Sequence, residues 1–440
     1  MKIVIDSTNE YDALKNLRYS PSANIVSDRM VIDDFECDIV TDDEIAAGSV
    51  AELYDGSTLW ASGVVTYAER EDVKIIHIVS QSELFYLDRK MMPPKMYTGQ
   101  TVQAAIEEIA TTAGITILFD STAVSGKTVR GFCDEQSCRN RLQYILFVSG
   151  LYITSSFVQH PTVTSLESAT TAIIPEEYTY WRPKPVYQED VTAVNVVAFS
   201  FTVGTPTSED EYVTDGTTTW IVSRTTMTLR NPSVAVTAAT NEIYIDDIML
   251  VNGDNASDVL SQIGQYYFKR LKVEADVINN GEYSVGNVYQ LSFGEGYGEY
   301  ATGYCESLDY TFGLQAKSHM VLGACTQIES KKLTVIYRRD VTHDYAEIDR
   351  KVYRLPEGFV YEITNPYIRK TISGYEYVFR PESESITGTM DTQDTTVYVT
   401  CYIALVLNVE TRVLTIVSVD EYEKTSRTES GNTIYTLEIT

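Results

Sequence analysis

The sequence predicts a mainly β protein with an α+β insertion: two small β-barrel domains, a helical or mixed insertion domain and a C-terminal β module. Tyr occurs 32 times and Trp three times, and Val, Ile and Thr recur throughout, which is typical of pleated, half-buried surfaces. Alternating runs fill the chain before residue 80 and after residue 160, and apolar residues at helical spacing lie between them. A length of 440 residues is enough for several domains.

Residues 1–80 form the first predicted β-barrel domain. Met30–Val40 is predicted to be a region with a pair of strands. The turn residues Asp55 and Gly56 separate two further strands. These strands and the one that follows them are Val50–Tyr54, Leu59–Tyr67 and Val73–Val79. Residues 1–60 hold 13 acids against four bases, so the turns of this domain are acidic.

Residues 81–160 form the predicted mixed α/β insertion. Thr101 caps a helix that ends at Gly114, and a second helix runs from Ser137 to Ser149. Ile115–Phe119, between the two helices, is predicted to be a strand. The apolar side of the first helix is Val102, Ala105, Ile106, Ile109, Ala110 and Ala113, and that of the second is Leu142, Ile145, Leu146 and Val148.

Residues 161–330 form the second predicted β-barrel domain, with one helix, and residues 331–440 form the C-terminal β module. The polar segment Gly204–Gly216 is predicted to be a surface loop. The helix begins near Asn255, and its predicted buried side is Val259, Leu260, Ile263, Tyr266, Tyr267 and Leu271. Strands are predicted at Tyr283–Leu291, Tyr300–Tyr310, Ser318–Leu322, Val397–Leu407, Arg412–Val419 and Thr433–Thr440, with a hairpin joining Val397–Leu407 to Arg412–Val419.

The net charge of −28 disfavours proteins that grip DNA or anionic lipid, because both need clustered cations. Residues 331–440 hold 13 bases and 17 acids, so −24 of the charge belongs to residues 1–330. The N-terminus has an acid at its sixth residue and predicts no secretory signal. The longest uncharged stretch, Leu142–Leu166, is too polar to span a bilayer, so we expect no membrane insertion by this chain.

The sequence predicts no catalytic, cofactor-binding or metal-ligating residue, and therefore no enzyme and no cofactor. The four histidines, His77, His160, His319 and His343, are far apart. We predict that His77 lies on a strand face and that Cys138, at the start of a helix, is a structural thiol. The glycines of Gly294–Gly298 and Gly126–Thr128 indicate turns, not phosphate loops. The six cysteines have no zinc or disulfide spacing, which indicates buried reduced thiols.

Four segments, in order over about 300 residues, carry a family resemblance. The matching positions are Asp55, Gly56, Gly63, Leu84, Asp88, Tyr97, Thr101, Val102, Arg141, Leu142, Gln143, Gly286, Gly303, Tyr304 and Gly313. In this pattern the chain resembles the bacteriophage tail hub family: the baseplate hub of contractile tails and related contractile injection systems, and the N-terminal region of siphophage tail-associated proteins. The resemblance covers residues 1–330 and gives these positions a structural role.

The resemblance implies a structural virion protein at the phage tail tip or baseplate, assembled in the bacterial host cytoplasm. A homotrimer with two barrels per chain presents six barrel units to a hexameric tail tube. The implied partners are the tail tube protein and the spike or distal tail and baseplate proteins. DNA would pass through the trimer without binding, because an acidic channel repels phosphates. The alternative explanation of the acidity is solubility alone.

Two other functions stay open. A tail-associated peptidoglycan hydrolase needs two carboxylates across a cleft, and acidic pairs such as Asp33 and Asp34 are abundant. A carbohydrate-binding adhesin would place its receptor site within residues 331–440, among Tyr361, Tyr367, Tyr375 and Tyr377.

Overall fold

The structure, a computed structural model, describes residues 1–154, 160–169, 171–174, 178–180, 183–235, 240–279, 281–292, 299–312, 316–340, 344–372, 375–408, 414–416, 422–429 and 432–439. It divides into two compact units. The first comprises Met1–Phe293 with Ala301–Gln327, and the second comprises the chain from Ile328 onwards with the segment ending at Tyr300. The predicted fold class, mainly β with a small helical insertion, is confirmed.

The first module is an antiparallel barrel of six strands. They are β1 (Lys2–Ile5), β2 (Asn9–Ser20), β3 (Asp34–Val40), β4 (Val50–Asp55), β5 (Thr58–Asp72) and β6 (Ile75–Gln81). The ladders run in a complete ring, in the order β1, β2, β3, β6, β5, β4 and back to β1. Strand alternation is clearest in β6, where Ile76 and Ile78 are buried and their neighbours along the chain are partly exposed. In β3, Cys37 and Ile39 are buried in the core, and Asp38 between them is also buried. The three strands predicted after residue 49 are confirmed, whereas Met30–Val40 holds one strand, not two.

The insertion packs two helices around a common core. Its elements are a 3₁₀ helix (Glu83–Arg89), β7 (Met91–Met92), β8 (Lys95–Thr101), α1 (Val102–Ala113), β9 (Leu118–Phe119), α2 (Ser121–Val124), β10 (Thr128–Cys133), β11 (Gln136–Ser137), α3 (Cys138–Val148), β12 (Leu151–Thr154), β13 (Thr162–Ser165) and a 3₁₀ turn (Leu166–Ser168). Both predicted long helices are confirmed. The Thr101 side chain accepts the Ala104 N–H, and Gly114 ends α1 in the left-handed region at φ 76°. The predicted strand over Ile115–Phe119 is only two residues long, and α2 was not predicted.

The second module combines a half-barrel with a separate small sheet. Its elements are β14 (Thr171–Ile173), β15 (Lys184–Tyr187), β16 (Ala193–Val203), β17 (Tyr212–Thr214), β18 (Thr219–Arg230), β19 (Glu242–Ile245), α4 (Ala256–Tyr267), β20 (Leu271–Ile278), β21 (Val288–Ser292), β22 (Glu299–Thr311) and β23 (Lys317–Arg338). Strands β17, β18, β16 and β19 form the small sheet, and α4 packs against β16 and β18.

Two predictions for this module are wrong in detail. The loop predicted over Gly204–Gly216 contains strand β17, which pairs with β18. The polar sequence of this segment did not indicate that pairing. Leu271 does not belong to the helix, because α4 ends at Tyr267 and Leu271 begins β20. The turn predicted at Gly294–Gly298 lies outside the described residues.

Among the residues that the structure describes, the second unit has a core of ten buried side chains that include Leu333, Val335 and Tyr337. Its strands after β23 are β24 (Glu347–Pro356), β25 (Val360–Thr364), β26 (Ile368–Ile372), β27 (Tyr375–Pro381), β28 (Ser385–Thr389), β29 (Thr395–Asn408), β30 (Leu414–Ile416), β31 (Tyr422–Glu429) and β32 (Asn432–Ile439). The end of β23 pairs antiparallel with β24 and parallel with β29. The predicted pairing of Val397–Leu407 with Arg412–Val419 is confirmed for the described residues, and so is the final strand.

Within the described ranges, the structure contains no helix long and apolar enough to cross a membrane.

Candidate functional site

The two barrel-type modules of the first unit join edge to edge through β2 and β22. Arg18 pairs with Thr311 and Tyr19 with Tyr310 in an antiparallel ladder. The Ser20 hydroxyl donates to the Asp309 carboxylate at 2.7 Å, and the Arg18 guanidinium lies 3.1 Å from the same carboxylate. Backbone pairing and a charged hydrogen bond therefore fix the register of one module on the other.

Aromatic rings fill the interior beside this junction. Tyr19 and Tyr310 stack with their centroids 5.8 Å apart. Trp60, from the first barrel, meets Tyr310 edge-on at 5.3 Å and Phe312 at 5.0 Å. Such pairs add about 0.5–1.5 kcal/mol each beyond the burial of their area. The sequence did not indicate this cluster, because Tyr19 and Trp60 lie at least 250 residues before Tyr310 and Phe312 and the four rings share no spacing pattern.

Arg141 holds the insertion together from the inside. It is fully buried on α3, and its Nη2 donates to the carbonyl oxygens of Pro93 and Asp134, both at 2.8 Å, and of Met92 at 3.3 Å. Its Nε and Nη1 have no acceptor among the described residues. Burial raises the pKa of the nearby Tyr97, and the positive charge of Arg141 opposes that rise. The guanidinium thus joins two loops to one helix.

Five other predicted motif residues lie in the same insertion. Asp88 accepts from Arg139 at 2.7 Å, and Arg139 also donates to the Met30 carbonyl of the first barrel. The Gln143 side chain donates to the Ser27 carbonyl. The insertion is therefore tied to the loop that precedes β3 by two side chains from adjacent turns of α3. Leu84, Val102 and Leu142 are buried in the core beneath them.

The predicted glycines mark close approaches of the backbone. A Cβ on Gly63 would lie 2.4 Å from the Gln81 carbonyl oxygen, and one on Gly303 would lie 2.4 Å from the Cys325 sulfur. Gly286 has φ 84° and accepts from the Tyr152 hydroxyl at 2.9 Å, which connects the insertion to the second module. Asp55 and Gly56 form the β4–β5 turn, and Tyr304 is half-buried on β22. Gly313 lies outside the described residues. The family roles of all these positions stay a prediction.

The groups considered for chemistry are mostly structural. His77 lies on β6, as predicted, with its Nδ1 2.8 Å from the Asp38 carboxylate across the ladder to β3. Burial raises the pKa of Cys138, so the start of α3 does not activate this thiol. All six cysteines are buried and free, which confirms the prediction. No group of three His, Cys, Asp or Glu suited to a metal ion occurs among the residues that the structure describes.

Asp33 and Asp38 are the buried carboxylates among the described residues, and Asp33 lies just before β3 of the first barrel. Its Oδ1 accepts the Ser22 N–H at 3.1 Å, while its Oδ2 has no donor among the described residues. Burial raises the pKa of Asp33 to about 7, and the neighbouring charge of Asp34 acts in the same direction. This carboxyl group therefore changes its charge near neutral pH.

A cleft of about 720 Å³ lies in the first unit between the insertion and α4. Lys127, Lys269, Glu167, Asp258, Gln262 and Tyr304 are among its lining residues. Lys127 is already engaged, since its Nζ donates to the Ser149 carbonyl at 2.8 Å. The lining mixes both signs of charge with amides and hydroxyls, so it selects no class of ligand.

The tyrosines predicted as a receptor site do not form one surface. Tyr361 is buried in the core of the second unit, and Tyr377 stacks on Phe379. Tyr367 is exposed, and the side chain of Tyr375 lies outside the described residues. A sugar needs open ring faces, and of the three tyrosines whose side chains are described, Tyr361 is buried and offers none.

Comparison with solved structures supports the family resemblance at the level of the fold. The 43 kDa tail protein of prophage MuSo2 from Shewanella oneidensis aligns with a TM-score of 0.51 and 11 % identity, covering 74 % of this chain and 99 % of that chain. A tail protein from Neisseria meningitidis MC58 aligns at 0.49 with 10 % identity, over 73 % and 95 % of the two chains. Prophage tail protein gp18 from Listeria monocytogenes EGD-e aligns at 0.47 with 12 % identity, over 73 % and 94 %.

No protein-family model and no curated protein matches the sequence. The first of the structural alignments shows that the chain has the fold of a prophage tail protein. The predicted resemblance to phage tail proteins is confirmed in that sense.

Proposed function

We propose that this chain is a structural protein of a phage virion, a trimeric tail-tip or baseplate hub that joins the tail tube to the spike or to distal tail proteins. The observation that carries the proposal is the pair of barrel-type modules joined at β2 and β22, in a fold shared with a prophage tail protein. Its place of assembly would be the host cytoplasm and its final place the tail.

The trimer follows from the match between three-fold and six-fold symmetry. Two barrel-type modules in each chain give six units in a closed ring of three chains, so that the ring can meet a hexameric tube. The edge-to-edge junction supports this idea, because it holds two barrel-type modules side by side within one chain. An unconnected pair of modules would not keep the spacing that such a ring requires.

The mass of the purified protein in solution tests the trimer. We expect three times 49.4 kDa at micromolar concentration. A stable monomer across the accessible concentration range would contradict the hub.

The channel through such a ring would carry DNA without holding it. The −28 charge of each chain, most of it in residues 1–330, supports a bore that repels phosphates. An electrophoretic mobility assay at low salt should show no retardation of duplex DNA. A neutral or basic bore in a trimer structure would overturn this part of the proposal.

The proposed role is not catalytic. We expect no clearing of purified cell walls in a zymogram. Reproducible clearing that is lost on a single Asp or Glu substitution would contradict the structural role and favour the hydrolase.

A further inference from the structure

We propose that an Arg- and Tyr-rich sheet face in the second unit binds an acidic knob on the first barrel of a second copy of this chain. The inference deepens the proposed function, on whose ring of identical chains it rests. It names the surfaces that join one chain to the next.

The basic face is the outer side of β23, β24 and the start of β29. Leu333, Val335 and Tyr337 point into the core and are fully buried, so their neighbours along β23 point the other way. This outer side carries cations, exposed aromatic rings and an exposed apolar side chain. They are Lys332, Arg338, Arg350, Arg354, Tyr345, Tyr398 and Val352.

Arg338 is the centre of the face. Its guanidinium carbon lies 4.4 Å from the ring centroid of Tyr345 and 4.1 Å from that of Tyr398. The two rings are 47 % and 54 % exposed, so they hold the guanidinium in place and still present an outer ring face. The Arg338 Nε is buried without an acceptor among the described residues. A preorganised guanidinium between aromatic rings is typical of protein interface hot spots.

The remaining charges of the face are mostly positive. Arg350 pairs with Glu347 at 2.7 Å and is still half exposed. Lys332 and Arg354 lie opposite each other in the ladder between β23 and β24, and neither side chain has a carboxylate partner among the described residues. The face therefore fits an acidic surface. Arg, Tyr and apolar side chains are enriched in protein interfaces, which favours a protein over other anionic partners.

The same chain carries a surface of the opposite charge. At one end of the first barrel, the β5–β6 hairpin tip and the loop after β3 bring together exposed carboxylates around the apolar Val73 and the ring of Tyr67. The carboxylates are Asp42, Asp43, Glu44, Glu69, Glu71 and Asp72. Together with Val73 and Tyr67 they form what we call the acidic knob.

The two cations of the knob, Arg70 and Lys74, offset only part of its charge, because six carboxylates against two cations leave a formal charge of −4. The Arg70 guanidinium donates to the carbonyl oxygens of Thr41, Val73, Asp42 and Asp43. These four hydrogen bonds fix the loop after β3 to the tip of the β5–β6 hairpin. Lys74 pairs with Asp42 at 3.0 Å and neutralises one carboxylate of the six.

Knob and face are different surfaces, so their contact is heterologous. Such a contact passes from each copy to the next and closes into a ring when the rotation allows. It therefore supplies a physical basis for a cyclic trimer. Charge pairs at its rim would make the assembly sensitive to salt.

Charge reversal in the full-length chain tests the contact. We expect the double variant R338E/R350E to raise the concentration of half-dissociation of the oligomer by at least about tenfold. The double variant E44K/E71K on the knob should do the same. Arg369→Glu, at an exposed arginine elsewhere in the second unit, and Glu209→Lys, on a loop of the first unit, are matched controls and should leave the mass unchanged.

Mixing the two double variants provides the decisive part of the experiment. Each variant keeps one wild-type surface and one reversed surface, so every contact between unlike copies is complementary and every contact between like copies is repulsive. A mixed ring of three has two contacts of the first kind and one of the second, so we expect mixed dimers and mixed trimers with two complementary contacts in native mass spectrometry. This part does not depend on either variant's behaviour alone. Failure of mixed oligomers to form, with both variants folded by circular dichroism, would overturn the proposal.

Other outcomes separate this inference from the proposed function. A wild-type trimer with R338E/R350E equally trimeric would overturn the contact and leave the hub standing. A monomeric wild type would overturn both. Loss of heparin binding by R338E/R350E at unchanged mass would overturn the contact and assign the face to an anionic glycan.

Discussion

Two arginines of the first compact unit and one of the second use their guanidinium groups in opposite ways. In the first unit, Arg141 and Arg70 each donate to at least three carbonyl oxygens, and Arg139 joins a carboxylate to a carbonyl. In the second unit, Arg338 stacks between two exposed rings and has an unpaired Nε among the described residues. Arg141 and Arg70 therefore stabilise the fold of their own chain, whereas Arg338 lies on an exposed face that a partner can reach. An acidic protein can therefore present a locally basic surface.

Replacing Arg141 tests the first half of this comparison most strongly. Arg141→Met leaves three carbonyl oxygens without a donor, at about 1–3 kcal/mol each, so we expect a loss of stability on the order of 5 kcal/mol. Arg139→Met is the control, because Arg139 is partly exposed and should cost about 1 kcal/mol. Thermal unfolding measures both. Equal losses of stability in the two variants would mean that the buried hydrogen bonds of the Arg141 guanidinium add nothing to the stability of the fold.

The next effect concerns the buried carboxyl group of Asp33. Its pKa is raised from 3.8 to about 7, so the native state retains a proton that the unfolded chain releases between these values. Stability should therefore fall as pH rises from about 4 to about 7, by about 1.4 kcal/mol per unit and on the order of 4 kcal/mol in all.

The isosteric variant Asp33→Asn removes this dependence. We expect it to be more stable than the wild type at pH 8 and to show no gain at pH 4. Denaturant titrations at the two pH values measure the difference. A wild-type advantage at pH 8 would show that the Asp33 carboxylate is stabilised in its charged form.

The smallest of the three effects lies in the first barrel. Gly63→Ala puts a Cβ 2.4 Å from the Gln81 carbonyl oxygen and must displace one strand, so we expect a loss of about 2 kcal/mol. Gly253→Ala is the matched control, because nothing lies within 4 Å of its Cβ and its φ is not in the left-handed region. A Gly63→Ala variant as stable as Gly253→Ala would mean that β5 and β6 adjust without cost.

What the sequence revealed in advance depended on how local the signal was. Helix α1 was predicted residue by residue, because its cap, its apolar spacing and its final glycine lie within 14 residues. The β5 and β6 strands were visible for the same reason. The small sheet of β16–β19 was not, since β17 is held by pairing with β18 and has little pattern of its own. Strand β23 runs 22 residues through residue 330, where the sequence suggested a boundary.

The contacts of the candidate sites were also not predicted, because they depend on segments that lie far apart in the sequence. Arg141 and Gln143 were singled out through the family pattern, but nothing in their spacing indicated that one would be fully buried against three carbonyls. The junction between β2 and β22 joins residues nearly 300 positions apart. The stacking of Arg338 between Tyr345 and Tyr398 also depends on tertiary structure, because three segments must meet. The three boundaries between the four predicted domains stay a prediction.

Electron microscopy of the purified full-length protein tests the central claim most directly. Particle averages should show a ring of three chains around an opening, with barrel-sized density at six places around it. A single compact particle, or a ring whose symmetry is not a multiple of three, would contradict the account of this chain as a trimeric tail hub.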